Sequence, residues 1–313
     1  MIDVYLRTTG GKELLLHGSE LEDPEIVPRG TSEISSVLKT PLILWCNDES
    51  REERRMRAKS VVILILFGAA ASAFAQGRKL VDLTHPFSAD TIYWPNADGF
   101  LLKKDAEGMT AKGYYYAANS YAAGEHGGTH LDAPLHFAKG MPSVDLIPLE
   151  RLFAPAVVVD VQDRAAKDRD YLVSVDDLQR WEKANGRIPD GCILLIETGW
   201  GKFYPKRAQY LGTDHRGEQA VAELHFPGLD PAAARWIVNN RKISILGIDT
   251  ASIDRGQSQL FEVHQILFKA GICALENVAN LDRLPAKVAE VIALPMKIQG
   301  GTGAPARIVA ILP

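Results

Sequence analysis

The chain has 313 residues, 46% hydrophobic and 24% charged, with a formal net charge of −4. That is the composition of a soluble globular protein with ample material for one large core. The mild acidity and scattered lysines and arginines leave no footprint for nucleic acid, and no internal repeat, low-complexity tract or heptad run is present.

Residues 1–55 show no hydrophobic periodicity and end in the charged run DESREERR, so weak order is expected there. From Met56 the chain reads MRAKSVVILILFGAAASAFAQG: basic residues, an apolar run from Val61, then small residues ending at Ala75. This is the layout of a secretory signal peptide over 56–75, with cleavage expected after Ala75. The apolar run is shorter than the ~20 residues of a spanning helix. A signal peptide works from a protein's beginning. The reading is therefore that translation starts at Met56, that residues 1–55 come from an overlong start, and that the product is exported to a bacterial periplasm without stable membrane insertion. A rival reading makes the apolar run an anchor.

From Gln76 onward the chain reads as one domain, 76–313. Residues 79–83 and 91–94 are strand-like, with breakers at 84–86 and 95–96. Residues 114–121 are aromatic-rich and expected to form a strand feeding the loop that follows. Beyond it, 156–161 and 193–196 read as strands, with a helix between them over 174–184. Ser174 caps that helix and Asn185-Gly186 ends it. A second helix over 230–240 has Asp230 as cap and Pro231 in first position. A strand at 243–248, a helix at 260–270 and strands at 288–294 and 307–312 complete an α/β pattern, a mixed sheet with interleaved helices. Gly300-Gly301-Thr302-Gly303 lacks the Lys-Ser/Thr and helix of a phosphate cradle and reads as a turn. Cys192 and Cys273 sit in short apolar runs as core thiols, although one bridge between them stays open in an exported protein.

The chemistry concentrates at 126–137, H-G-G-T-H-L-D-A-P-L-H-F. His126, His130, Asp132 and His136 are ligand types for a first-row divalent ion, Zn or Mn above all. Gly127, Gly128 and Pro134 argue against a helix. The expected geometry is a glycine turn running into an extended segment, with His130, Asp132 and His136 on one face. Burying that much polarity without a partner costs several kcal/mol, which a metal offsets. Farther on, a helix end, a glycine and a short strand separate His264 from Glu276, so both can reach one point. Each also has a bland reading, as a surface helix residue or a capping acid.

The motif H-x-G-T-H-x-D-x-P-x-H-F resembles the metal-dependent cyclase family, whose members include bacterial kynurenine formamidase and isatin hydrolase. The likeness spans about 78–313. It includes Y-W-P at 93–95, E-T-G-W at 197–200, G-I-D-T-x-S-I-D at 247–254, H-x11-E at 264–276 and L-P-M-K-I-x-G-G at 294–301. The resemblance implies a swivelling β/β/α fold and a homodimer or larger homo-oligomer. It implies a metal on His126, His130 and Asp132, with Asp132 bridging to a second ion on His264 and Glu276. It makes His136 the catalytic histidine and Trp94 a substrate contact. The run at 247–258 is nearer the isatin hydrolase branch, for which one Mn is implied, with His264 facing substrate and Gln265 or Glu276 behind it. Kynurenine degradation is cytosolic, which fits poorly with an export-type segment.

Either branch implies that metal-activated water, its pKa lowered towards about 7, attacks an amide or lactam carbonyl. His136 then moves the protons. The substrate class is a small aromatic amide, with Trp94 stacking on its ring. A serine hydrolase is disfavoured because no G-x-S-x-G occurs. A periplasmic metal- or small-molecule-binding protein could use the same ligands but has no need of His136.

Overall fold

The structure is a computed structural model that describes residues 4–7, 13–16 and 79–312. Met1–Gln76 and Gly77–Pro313 are two compact units. In the first, β1 (Val4–Arg7) pairs antiparallel with β2 (Glu13–Leu16). Reading 1–55 as patternless missed this hairpin, because four-residue runs are too short for periodicity to register. The export-type segment at 56–75 lies outside the described residues. Among the described residues no helix is long and apolar enough to cross a membrane.

In the second unit the strands are β3 (Lys79–Asp82), β4 (Leu101–Met109), β5 (Tyr115–Ala122), β6 (His130–Asp132), β7 (Phe153–Asp160) and β8 (Leu172–Val173). They continue as β9 (Ile193–Glu197), β10 (Gly228–Leu229), β11 (Ile245–Ile248), β12 (Cys273–Glu276), β13 (Lys287–Pro295) and β14 (Gly303–Leu312). The helices are α1 (Gln162–Ala165), α2 (Val175–Asn185), α3 (Arg207–Tyr210), α4 (Pro231–Asn240) and α5 (Glu262–Lys269).

Eight strands form one mixed sheet in the order β13-β7-β9-β11-β12-β6-β14-β3, and β13 also pairs with β14, so the sheet curls back on itself. β7, β9, β11 and β12 run parallel, and β6 is antiparallel to both its neighbours, β12 and β14. Strands β9, β11 and β12 are buried along their whole length, as parallel strands covered on both faces must be. Alternation sends Val158, Leu195, Leu275 and Ile308 into one core. Val157, Leu194, Leu246 and Ala274 turn to the other, against Trp181 of α2, Ile237 of α4 and Phe268 of α5.

The two longer predicted helix starts hold. Ser174 and Asp177 form a reciprocal capping box on α2, and Asp230 accepts from the Ala232 N–H at the start of α4; each cap stabilises by about 1 kcal/mol. Other expectations need correction. Residues 91–94 make a single bridge, Tyr93 to Gly127, rather than a strand, because Pro95 cannot continue a ladder. β4 was not foreseen. Its sequence LLKKDAEGM has no apolar alternation, and with β5 it forms a hairpin in which no residue is buried. Cys192 and Cys273 are buried free thiols. Gly300, at φ 74°, turns the chain straight into β14.

Candidate active site

Three residues of β6 organise the pocket. Glu276 of β12 lies opposite His130 in the ladder, and Gly303 of β14 lies opposite Asp132. The approach to β6 is a glycine turn. Gly128 takes φ 57°, and a Cβ on Gly127 would stand 2.1 Å from the Tyr93 ring. Only glycine allows both. Beyond β6 the expected extended run through His136 does not occur. Pro134 starts a single 3-10 turn, Pro134–His136, since its ring nitrogen has no proton to give a ladder. His136 therefore folds back and stacks on His126, ring centroids 3.7 Å apart at 15°.

The five residues expected to hold metal converge. His126 Nδ1 is 2.6 Å and His130 Nε2 3.0 Å from Asp132 Oδ1, while His264 Nε2 is 3.4 Å from Asp132 Oδ2. Glu276 stands 3.1 Å from His264 Nε2 and 3.5 Å from His130 Nε2. Two overlapping sets of ligand atoms, each within 4.8 Å, result: His126, His130, Asp132 and Asp132, His264, Glu276. Asp132 belongs to both and offers a different oxygen to each side.

The tautomers favour metal binding. His130 Nδ1–H donates to Gly128 O at 2.9 Å, and His264 Nδ1–H donates to the Asp254 carboxylate at 2.6 Å. Both acceptors lack protons, so both rings turn Nε2 to the pocket. His130 Nε2 is buried and, although near Asp132, makes no aligned hydrogen bond. An orphaned buried nitrogen facing two carboxylates calls for a partner such as an ion or a water, and the donor set of imidazoles and acids suits Zn or Mn.

Electrostatics agree. Burial opposes charge on His130, yet Asp132 and Glu276 raise it to about 9. For His264 burial likewise works against the charged form, and contacts with Asp132, Asp254 and Glu276 outweigh it, lifting it well above the usual range. Asp132 is pushed up by burial but held well below the carboxylate range by His126 and His130. The acids thus draw positive charge between them, which imidazole protons or a cation can supply. His136 goes the other way. Burial lowers it to about 4, and the neighbouring histidines add to this against the pull of Asp132, so it is neutral at pH 7.

Trp94 lies in the pocket wall. A cavity of about 240 Å³ joins the histidine–carboxylate cluster to an apolar side made by Ile92, Trp94, Phe137, Ala251 and Phe261. Supporting residues that the sequence did not single out are Asp254, behind His264, and Thr302, whose hydroxyl meets His126 Nε2 at 2.8 Å. Asn277 is a third, with its amide on Gly128 O. Asp254 sits inside the 247–254 motif, which was the available signal. Gln265 does not stand behind the pocket. Its amide donates to Leu260 O on the exposed side of α5. The E-T-G-W motif is scaffold, because Thr198 and Trp200 donate to the buried Asp249.

A pocket of this composition at the carboxyl end of β12, on this curled mixed sheet, defines a metal-dependent hydrolase. The chain is 35% identical to the isatin hydrolase of Roseibium aggregatum over 209 residues, 64% of this chain and 77% of that protein. It is 28% identical to the kynurenine formamidase of Salinibacter ruber over 234 residues, 74% and 96% of the two chains. The solved structure of an isatin hydrolase bound to the product analogue thioisatinate matches with a TM-score of 0.70 at 32% identity, covering 80% of this chain and 98% of that one. The family model described as "Putative cyclase" matches residues 81–255, and the chain belongs to that family.

Proposed function

We propose that the protein hydrolyses an amide or lactam C–N bond in a small aromatic substrate of the isatin or N-formylkynurenine type. His126, His130, Asp132, His264 and Glu276 hold one or two divalent ions, Zn or Mn. The observation that carries this is the division of Asp132, Oδ1 toward His126 and His130 and Oδ2 toward His264, which would let one carboxylate serve both candidate ligand groups. When bound, the ion supplies a Lewis acid and brings a water's pKa towards about 7. The rest falls to the chain. His136 has no hydrogen bond to its ring among the described residues and is neutral, so it accepts the proton of the attacking water. It returns that proton to the leaving nitrogen as the C–N bond breaks, giving a carboxylate and an amine. Trp94 and Phe137 form an apolar wall for the substrate ring.

The isatin hydrolase relatives support the cyclic amide as first choice. A metal analysis with ultraviolet assays on isatin and N-formylkynurenine tests the reading. Bound metal with turnover of one of them is expected, and metal without hydrolysis would reduce the protein to a binder. The segment at 56–75 supports export to a periplasm, read by N-terminal sequencing of the native product. The β4–β5 hairpin, with Leu101, Leu102 and Tyr115 exposed, supports a homo-oligomer that covers it, read by sedimentation.

A further inference from the structure

Phe261 is a conformational exception. It precedes α5 with φ 50° and ψ 45°, in the left-handed region. Everywhere else among the described residues where the chain enters positive φ it uses glycine, or asparagine at 277 and 280. Asparagine tolerates that region, whereas a bulky aromatic does so only at the cost of strain. A helix cap is ordinarily extended, as at Ser174 (φ −94°) and Asp230 (φ −70°), so a φ of 50° turns the Phe261 side chain well away from the direction an extended cap gives.

The start of the helix does not require a phenylalanine. The Phe261 carbonyl accepts from Gln265 N–H and its own N–H donates to Ser258 Oγ at 3.1 Å. Glycine or asparagine would make both bonds with less strain. What only the side chain supplies is its ring. It stands 5.9 Å from Trp94 and 5.5 Å from Phe137, meets the His264 ring edge-on at 6.2 Å, and lines the cavity. Strain kept at a pocket wall points to a functional constraint.

We infer that Phe261 is a specificity-determining residue. Its left-handed backbone aims the ring into the cavity, where with Trp94 and Phe137 it makes a three-sided aromatic cage for the planar ring of the substrate. This rests on the aromatic-amide reading above. The cage favours a fused or substituted benzene ring over an aliphatic amide of similar reactivity.

The test compares metal-loaded wild type with Phe261→Asn, which suits the left-handed backbone, and Phe261→Tyr, which keeps the ring. The readouts are kcat and KM for isatin and for succinimide, with metal content measured alongside. The isatin-to-succinimide ratio of kcat/KM is expected to fall about tenfold in Phe261→Asn, through KM, and to recover in Phe261→Tyr. Phe261→Leu, which keeps apolar volume, covers the case in which the asparagine variant does not fold, and is expected to lower the ratio about threefold. A ratio that stays constant while both substrates and metal content fall together would show a structural role through His264, and would overturn the assignment. If wild type hydrolyses neither substrate, the hydrolase reading fails by itself. Calorimetric affinity for isatin then decides Phe261, and equal affinity in wild type and Phe261→Asn overturns it.

Discussion

Two buried aspartates, Asp132 and Asp177, meet opposite fates in this molecule. Asp177, on the first turn of α2, is closed by donors. Tyr171 O–H at 2.8 Å and the Ser174 N–H and O–H at 2.7 Å reach one oxygen, and Arg164 and Arg180 reach the other. Among the described residues no backbone N–H donates to the Asp132 carboxylate. Its neighbours are three imidazoles, each of which can give up a proton and take a cation. The first carboxylate is satisfied by folding alone, whereas the second is left among groups that suit a cation. Buried charge by itself does not identify a functional site; the chemistry of its partners does.

The comparison breaks most visibly at Asp132. Asp132→Asn is expected to lose bound metal and turnover altogether while the chelated protein melts within a few degrees of wild type, since active-site polarity is rarely optimised for stability. Metal analysis and calorimetry check both halves. A large loss of metal-free stability would make Asp132 another Asp177. Next in size is His136→Ala, for which metal is retained and kcat falls about 10²–10⁴-fold; unchanged turnover would remove its role as proton carrier.

Asp177→Ala should do the reverse of Asp132→Asn, costing about 2–3 kcal/mol in urea unfolding, discounted because both arginines are half exposed, with kcat and metal unchanged. The sign with pH follows. Burial pushes Asp177 up, but its hydrogen bonds hold it below the usual carboxylate range. Its contribution is therefore full above the unfolded pKa and disappears as pH falls through the lower folded value. Wild type and variant should converge in acid. Smallest is Asp254→Asn, expected to weaken metal about tenfold by loosening the His264 ring, measured by competition with a chelator.

The difference between the two aspartates also shows what could be read without coordinates. His126, His130 and Asp132 were legible because glycines and a strand gather them within seven positions. The helix–glycine–strand between His264 and Glu276 allowed them to reach one point, and the family resemblance made them credible, yet the place of Glu276 beside β6 is a fact of sheet register. Asp177 and Ser174 were legible only as a helix start, because Arg164 and Tyr171, which complete the site together with Arg180 of α2 itself, come from preceding segments. The turn at Pro134 was misjudged although the signal was present, since a residue with no N–H cannot extend the ladder and suits the first position of a helical turn. β4 was illegible because a hairpin with no buried side carries no hydrophobic period. Phe261 gave no signal, since left-handed backbone at a phenylalanine contradicts what residue type predicts.

Because β6 lies between β12 and β14, the candidate ligands on β6 gain their second neighbouring strand only when Gly303–Leu312 has left the ribosome. Synthesis delivers the histidines early and the scaffold that orders them last. A nascent chain stalled before β14 would carry every candidate ligand without the strand that borders β6 on its second side.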